Sequence, residues 1–257
     1  MAGVSDIEWT DFTWNPVTGC TKISQGCKHC YAERMAKRLR AMGVDRYRDG
    51  FKPTLHPDLL DEPLRWRGSK RVFVNSMSDL FHKEVPLEFI QQVFRSIAAA
   101  PSHMFQVLTK RSGRVLQIAG RLDWPSNLWM GVSVEHMRTV ERIEHLRQVP
   151  AAIKFLSCEP LIGPLENLDL TGIHWMIVGG ESGPHSRPMD PSWVQSLLAQ
   201  CRSEGVPFFF KQWGGVRKKA NGRALDGQIY DGFPSSSRNA VANLEQRTEL
   251  LAAIGNG

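Results

Sequence analysis

Three cysteines crowd one short segment of this 257-residue chain: Cys20, then Cys27 and Cys30. The segment reads Asn15-Pro16-Val17-Thr18-Gly19-Cys20, six further residues, and Cys27-Lys28-His29-Cys30-Tyr31-Ala32. Three thiolates this close can hold three irons of a cubane cluster, leaving the fourth iron without a protein ligand. An open coordination position suits reactive chemistry, whereas a structural site tends to close. The same spacing also admits a zinc site, with His29 or the distant Cys158 as fourth ligand. Cys158 and Cys201 stand alone, and an odd total of five with no secretion signal argues against a disulfide framework.

Short apolar runs that end in polar residues must position this segment. Arg71–Asn75 reads as a strand ending in Ser76-Met77-Ser78-Asp79. Further strands follow at Met104–Leu108, Leu128–Val134, Ile153–Leu156, Trp175–Val178 and Val206–Phe210. Between them lie helical stretches: Pro86–Ala100, with apolar residues at helical spacing, Val140–Leu146, and Pro191–Ser203 with Asp190 as N-cap. Strands alternating with helices imply a parallel sheet. The expected fold is α/β, a partial (open) parallel β/α barrel of about six strands, which Glu8–Trp14 could precede or join. The barrel would occupy residues 1–214. Residues 215–257, rich in Gly, basic residues and turn signals, read as a small C-terminal appendage: a hairpin-like piece and a short helix near Ala240–Ala253.

In parallel α/β folds the chemistry sits at the C-terminal ends of the strands. The polar residues there are Asp79, Lys110 and Arg111, Ser133 and Glu135, Glu159, Glu181 and Lys211. A formal charge of +6 and a pI near 9.2 favour an anionic partner, most commonly nucleic acid. Arg34, Lys37, Arg38 and Arg40 after the cysteines, and Arg217, Lys218, Lys219 and Arg223 in the tail, are candidate phosphate contacts, and Trp213 could stack on a base. No apolar stretch approaches the ~18 residues of a membrane span, and Met1–Glu8 lacks the apolar run of a signal peptide, so a cytoplasmic location is expected.

The run NP-x-x-GC…GCKHCYAERMAKR resembles the cluster loop of radical S-adenosylmethionine enzymes, nearest to their spore-photoproduct-lyase-like branch. That branch usually spaces its first two cysteines by three residues. Here there are six, an insertion within Thr21–Gly26. Ser76–Asp79 and Leu108-Thr109-Lys110-Arg111-Ser112 look like the branch's next two strand ends. CYAERMA, CEPL at Cys158–Leu161, GGESG at Gly179–Gly183, FKQWG at Phe210–Gly214 and LDGQIYDGFP at Leu225–Pro234 extend the likeness to a largely phage-associated three-cysteine family.

The resemblance implies a [4Fe–4S] cluster on Cys20, Cys27 and Cys30, S-adenosylmethionine as second cofactor, an external electron donor, and cleavage of the sulfonium to a 5′-deoxyadenosyl radical. It suggests Asp79 for the methionine amine, with a helix cap or ion pair as the plainer role. Lys110 or Arg111 would meet the carboxylate or a substrate phosphate, and Ser133 and Glu135 the ribose hydroxyls. Glu159, Glu181 and Lys211 would line a substrate pocket. Cys158 would be a hydrogen donor to a substrate radical, the alternative being an inert buried thiol. The expected function is repair or base modification of nucleic acid or a nucleotide. The alternative is a non-enzymatic zinc module that binds nucleic acid.

Overall fold

The computed structural model describes residues 3–217 and 220–235. Two short strands, Gly3–Val4 (β1) and Phe12–Trp14 (β2), precede Val17–Thr18 (β3), the cysteine segment and helix Tyr31–Ala41 (α1). Thr54–Leu55 (β4) pairs with β3, and Glu62–Arg65 forms a single helical turn (α2). The regular alternation follows: Arg71–Val74 (β5), Leu87–Ala98 (α3), Met104–Thr109 (β6), Ser112–Ile118 (α4), Leu128–Ser133 (β7), Glu141–Arg147 (α5), Ile153–Cys158 (β8), Trp175–Gly179 (β9), Pro191–Ser203 (α6) and Phe208–Gln212 (β10). A last hairpin joins Ala224–Leu225 (β11) to Gln228–Ile229 (β12).

The main sheet has eight strands in the order β1-β2-β5-β6-β7-β8-β9-β10, curled into a half-barrel. Every neighbouring pair is parallel except β1 with β2. The six strands read from the sequence are all present, and β2 joins them in register with β5, Phe12 opposite Val72 and Trp14 opposite Val74. β10 begins two residues later than the apolar run suggests. Asp190 caps α6 by accepting a hydrogen bond from the Ser192 amide.

Successive strand side chains point to opposite faces, so each strand feeds two cores. The outward set, including Val74, Val107, Val132, Leu156, Val178 and Phe210, packs with α3 and α6 through Ile90, Val93, Val194 and Leu197. The inward set, Phe73, Trp129, Phe155, Trp175 and Phe209, is joined by Trp9 from the turn before β2, and these rings fill the bottom of the half-barrel. Trp175 is their hub, with centroids 5.6 Å from Phe155, 5.9 Å from Trp129 and 4.7 Å from Phe233.

Asp226 and Gly227 both have positive φ, 51° and 76°, as the two-residue β11–β12 turn requires. The chain then runs back along β10: the Phe210 amide donates to the Tyr230 carbonyl (2.9 Å) and the Gly232 amide to the Phe208 carbonyl (3.0 Å). The helix expected near Ala240–Ala253 lies outside the described residues, as do Lys218 and Lys219. Among the described residues no helix is long and apolar enough to cross a membrane.

Candidate functional site

The polar strand ends gather at one mouth of the half-barrel, and opposite charges pair around it. Asp79, beyond β5, accepts from the Arg111 guanidinium at 2.9 Å. Glu135, beyond β7, is fully buried and meets Lys110 (3.0 Å) on one oxygen and Arg142 of α5 (3.0 Å) on the other. Glu159, beyond β8, pairs with Lys211 of β10 at 3.2 Å. Glu181, beyond β9, is clasped by Arg187 at 2.5 Å. Burial pushes the Glu135 carboxyl up, but Lys110 and Arg142 outweigh it and hold it below its ordinary value. Glu181 is likewise lowered on balance, Arg187 overcoming the effect of burial.

The cysteine segment lies across this mouth, tied to the end of one strand after another. Gly19 bridges to Ser78 beyond β5. It sits at φ +81°, and a Cβ there would fall 2.1 Å from the Lys52 carbonyl oxygen, so only glycine fits. Arg111, beyond β6, donates to the Thr21 carbonyl (2.8 Å), and the Thr21 hydroxyl meets His82 Nε2 (2.8 Å). The Ser24 hydroxyl donates to Glu135 (2.8 Å), against which Gly26 packs with no room for a side chain. Arg187 donates to the Gln25 carbonyl (3.0 Å). Arg34 joins the His29 carbonyl to the Ser182 carbonyl beyond β9, at 3.0 Å each.

All three cysteines are free and half-buried. Cys20 Sγ accepts from Arg111 Nη1 at 3.4 Å, and the Ser24 hydroxyl lies 3.7 Å from Cys27 Sγ. Cys30 is the N-cap residue of α1. Burial, helped by Asp79 and opposed by Arg111, pushes the Cys20 thiol up to about 11. Among the described residues no three His, Cys, Asp or Glu side chains are grouped to hold a single metal ion. A cubane makes a different demand, one thiolate on each of three irons. Three free, half-buried thiols on one loop meet that demand in number and kind.

A family model described as protein of unknown function (DUF5131) matches residues 4–234. The chain belongs to the DUF5131 family. No curated protein matches it. Among solved structures, it is similar to a spore photoproduct lyase mutant with dinucleoside spore photoproduct: TM-score 0.50, 13% identity, covering 70% of this chain and 58% of that one. Two further structures of the same lyase, one complexed with dinucleoside spore photoproduct and one a mutant with bound AdoMet and dinucleoside spore photoproduct, give TM-scores of 0.49 and 0.45 at 13% and 12% identity. They cover 70% and 66% of this chain, and 58% and 56% of the lyase chains. This DUF5131 chain thus spans less than two thirds of the lyase's length, and at such identity the likeness is one of fold.

The residues singled out in the DUF5131 sequence fare differently. Cys20, Cys27, Lys110, Ser133 and Glu135 lie at the mouth, and Cys30 follows on the same loop at the start of α1. Ser133 is buried on the inner face, opposite Ser157 in register. Asp79 is there too, but both oxygens are engaged, by Thr109 Oγ1 (2.7 Å), the Phe81 amide (3.0 Å), the Lys110 amide (3.2 Å) and Arg111. A methionine amine would have to displace one of these donors. Glu135 is covered by the cysteine loop and satisfied by Ser24, Lys110 and Arg142, so the ribose role expected for it does not fit. Cys158 does not face the mouth. It shares the parity of Leu156, lies wholly buried on the helix side, and has its thiol pKa raised by burial. A hydrogen-donor role does not fit that position. The sequence reading also passed over Arg142 and Arg187, the cations that complete the Glu135 and Glu181 pairs.

Proposed function

We propose that this chain is a radical S-adenosylmethionine enzyme acting on nucleic acid or a nucleotide. The observation that carries the reading is the seating of a three-cysteine loop across the C-terminal mouth of a parallel half-barrel, tied to successive strand ends. Cys20, Cys27 and Cys30 are the residues that would hold a [4Fe–4S] cluster, which when bound supplies the electron for reductive cleavage of S-adenosylmethionine to methionine and a 5′-deoxyadenosyl radical. Ser133 remains a candidate for a contact to S-adenosylmethionine, as does Lys110 if it gives up its bond to Glu135 (3.0 Å) or to the Glu159 carbonyl (3.3 Å). The ring-filled bottom of the half-barrel keeps water from entering beneath the site. An external donor supplies the electron, and a reducing cytosol suits three free thiols. The nucleic-acid substrate is supported by the basic net charge, the exposed cations of α1, and the likeness in fold to a lyase solved with a dinucleoside photoproduct.

Anaerobic reconstitution with iron and sulfide tests the reading. The expected product is a brown protein that, with dithionite and S-adenosylmethionine, releases 5′-deoxyadenosine. Cys20→Ala, Cys27→Ala and Cys30→Ala should each lose the cluster, while Cys201→Ala keeps it. A colourless protein holding stoichiometric zinc overturns the proposal.

A further inference from the structure

Arg111 spends its side chain inside the protein. Its Nη1 donates to Cys20 Sγ (3.4 Å) and Asp79 Oδ2 (2.9 Å), and its Nη2 to the carbonyl and hydroxyl of Thr21 (2.8 and 3.2 Å). The side chain is 11% exposed and Asp79's is 7%. A guanidinium so occupied is not presented to a phosphate at the mouth. It is aimed at one of the three sulfurs.

We propose that Arg111 is a positioning residue for Cys20 and raises the reduction potential of the cluster bound there, with Asp79 as its counterweight. This rests on the reading given above. Hydrogen bonds to ligand sulfurs are among the main determinants of iron–sulfur potentials. Adding one electron makes the sulfur more negative, so an N–H donor binds the reduced state more tightly. The Asp79 carboxylate acts in the opposite sense, since it cancels most of the guanidinium's charge. Thr109 Oγ1 and the Phe81 amide fix that carboxylate, and Thr21 fixes the other end of the fork. The Cys27 sulfur, by contrast, meets a neutral hydroxyl.

The test is a redox titration of the reconstituted protein followed by the EPR signal of the reduced cluster, with iron and sulfide counted in every variant. Arg111→Gln should make the reduction equilibrium about tenfold less favourable, which is about 59 mV more negative for a one-electron couple. Arg111→Lys keeps the charge but loses the fork, so its shift should be smaller and of the same sign. Asp79→Asn removes the counterweight, and its midpoint should move to more positive values. Opposite signs in the two positions are the signature, because a merely structural role would lower cluster content in both. Arg111→Gln with a full cluster and an unchanged midpoint overturns the inference, as does Asp79→Asn shifting in the same direction as Arg111→Gln. Should Arg111→Gln fail to hold the cluster, an unchanged midpoint in Arg111→Lys overturns it equally. A wild-type protein that binds no iron–sulfur cluster refutes the proposed function instead.

Discussion

Replacing Gly26 by Ala probes whether the cysteine loop is seated on Glu135. The new methyl would lie 2.5 Å from Glu135 Oε1 and 2.7 Å from its Cγ, well inside contact distance. A surface glutamate would swing away. This one is fully buried, with Lys110 and Ser24 on one oxygen and Arg142 on the other, so retreat breaks a buried ion pair. The alternative is that residues 24–27 lift off the mouth and carry Cys27 with them. Overpacking of this kind costs ~1–3 kcal/mol, against which an alanine regains ~0.4–1 kcal/mol of unfolded-state entropy. A net loss of ~1–2 kcal/mol lowers the melting temperature by roughly 2–8 °C in a domain of this size. Thermal denaturation of the metal-free protein measures this, and iron per chain after reconstitution reports the displaced cysteine. Gly120→Ala is the control, since nothing lies within 4 Å of its Cβ position. A Gly26→Ala protein with wild-type melting and full iron content refutes the seating.

Acid should weaken the mouth: Glu135 and Glu181 are held below the ordinary carboxylate value, so the stability they contribute is present above about pH 4.3 and is lost as pH falls through their folded values. Urea denaturation across pH 5 to 3 should show that loss, with a shallower dependence in Glu135→Gln. Asp190→Ala should destabilise the protein by uncapping α6, read as a lower urea midpoint at unchanged slope. If the exposed residues Arg38 and Arg40 of α1 meet duplex phosphates, neutralising both should flatten the log–log salt dependence of binding by about 1.8. Fluorescence anisotropy measures this, and no binding to duplex or single strand at low salt rejects the nucleic-acid substrate.

The strands from Arg71 to Gln212 were legible because each buries both faces and ends abruptly in polar residues, a pattern that survives without tertiary information. The Asp226-Gly227 turn was equally plain, since few dipeptides accept two positive φ angles in succession. β1 is too short to show a period, and β2 showed only as part of Glu8–Trp14, a stretch that could precede or join the strands. The parity of Cys158 depended on where its strand stops. Ended at Leu156, the strand leaves that side chain undecided; continued to Cys158, it turns the thiol to the helices. Glu135 looked ligand-facing because a strand end does so by default, and nothing local reveals that another loop will cover it. Arg142 lies seven residues from Glu135, in the first turn of α5, so their pairing exists only once α5 packs.

A half-barrel, unlike a closed one, leaves its two outermost strands with one edge that no strand of the sheet pairs. β1 is only two residues long and offers little to an intruding chain. β10 is longer, and its outer backbone is taken up by Tyr230 and Gly232, while the Gly232 carbonyl accepts from the Trp175 indole (2.7 Å) and Phe233 covers that ring. The stretch from 220 to 235, which composition marks as an add-on, therefore works as a hem. A protein shortened at Gly214 would keep every candidate cofactor ligand yet bare a strand edge beside the rim of the aromatic plug. Such a fragment is expected to self-associate by edge pairing, so expression of the half-barrel alone should extend through Pro234.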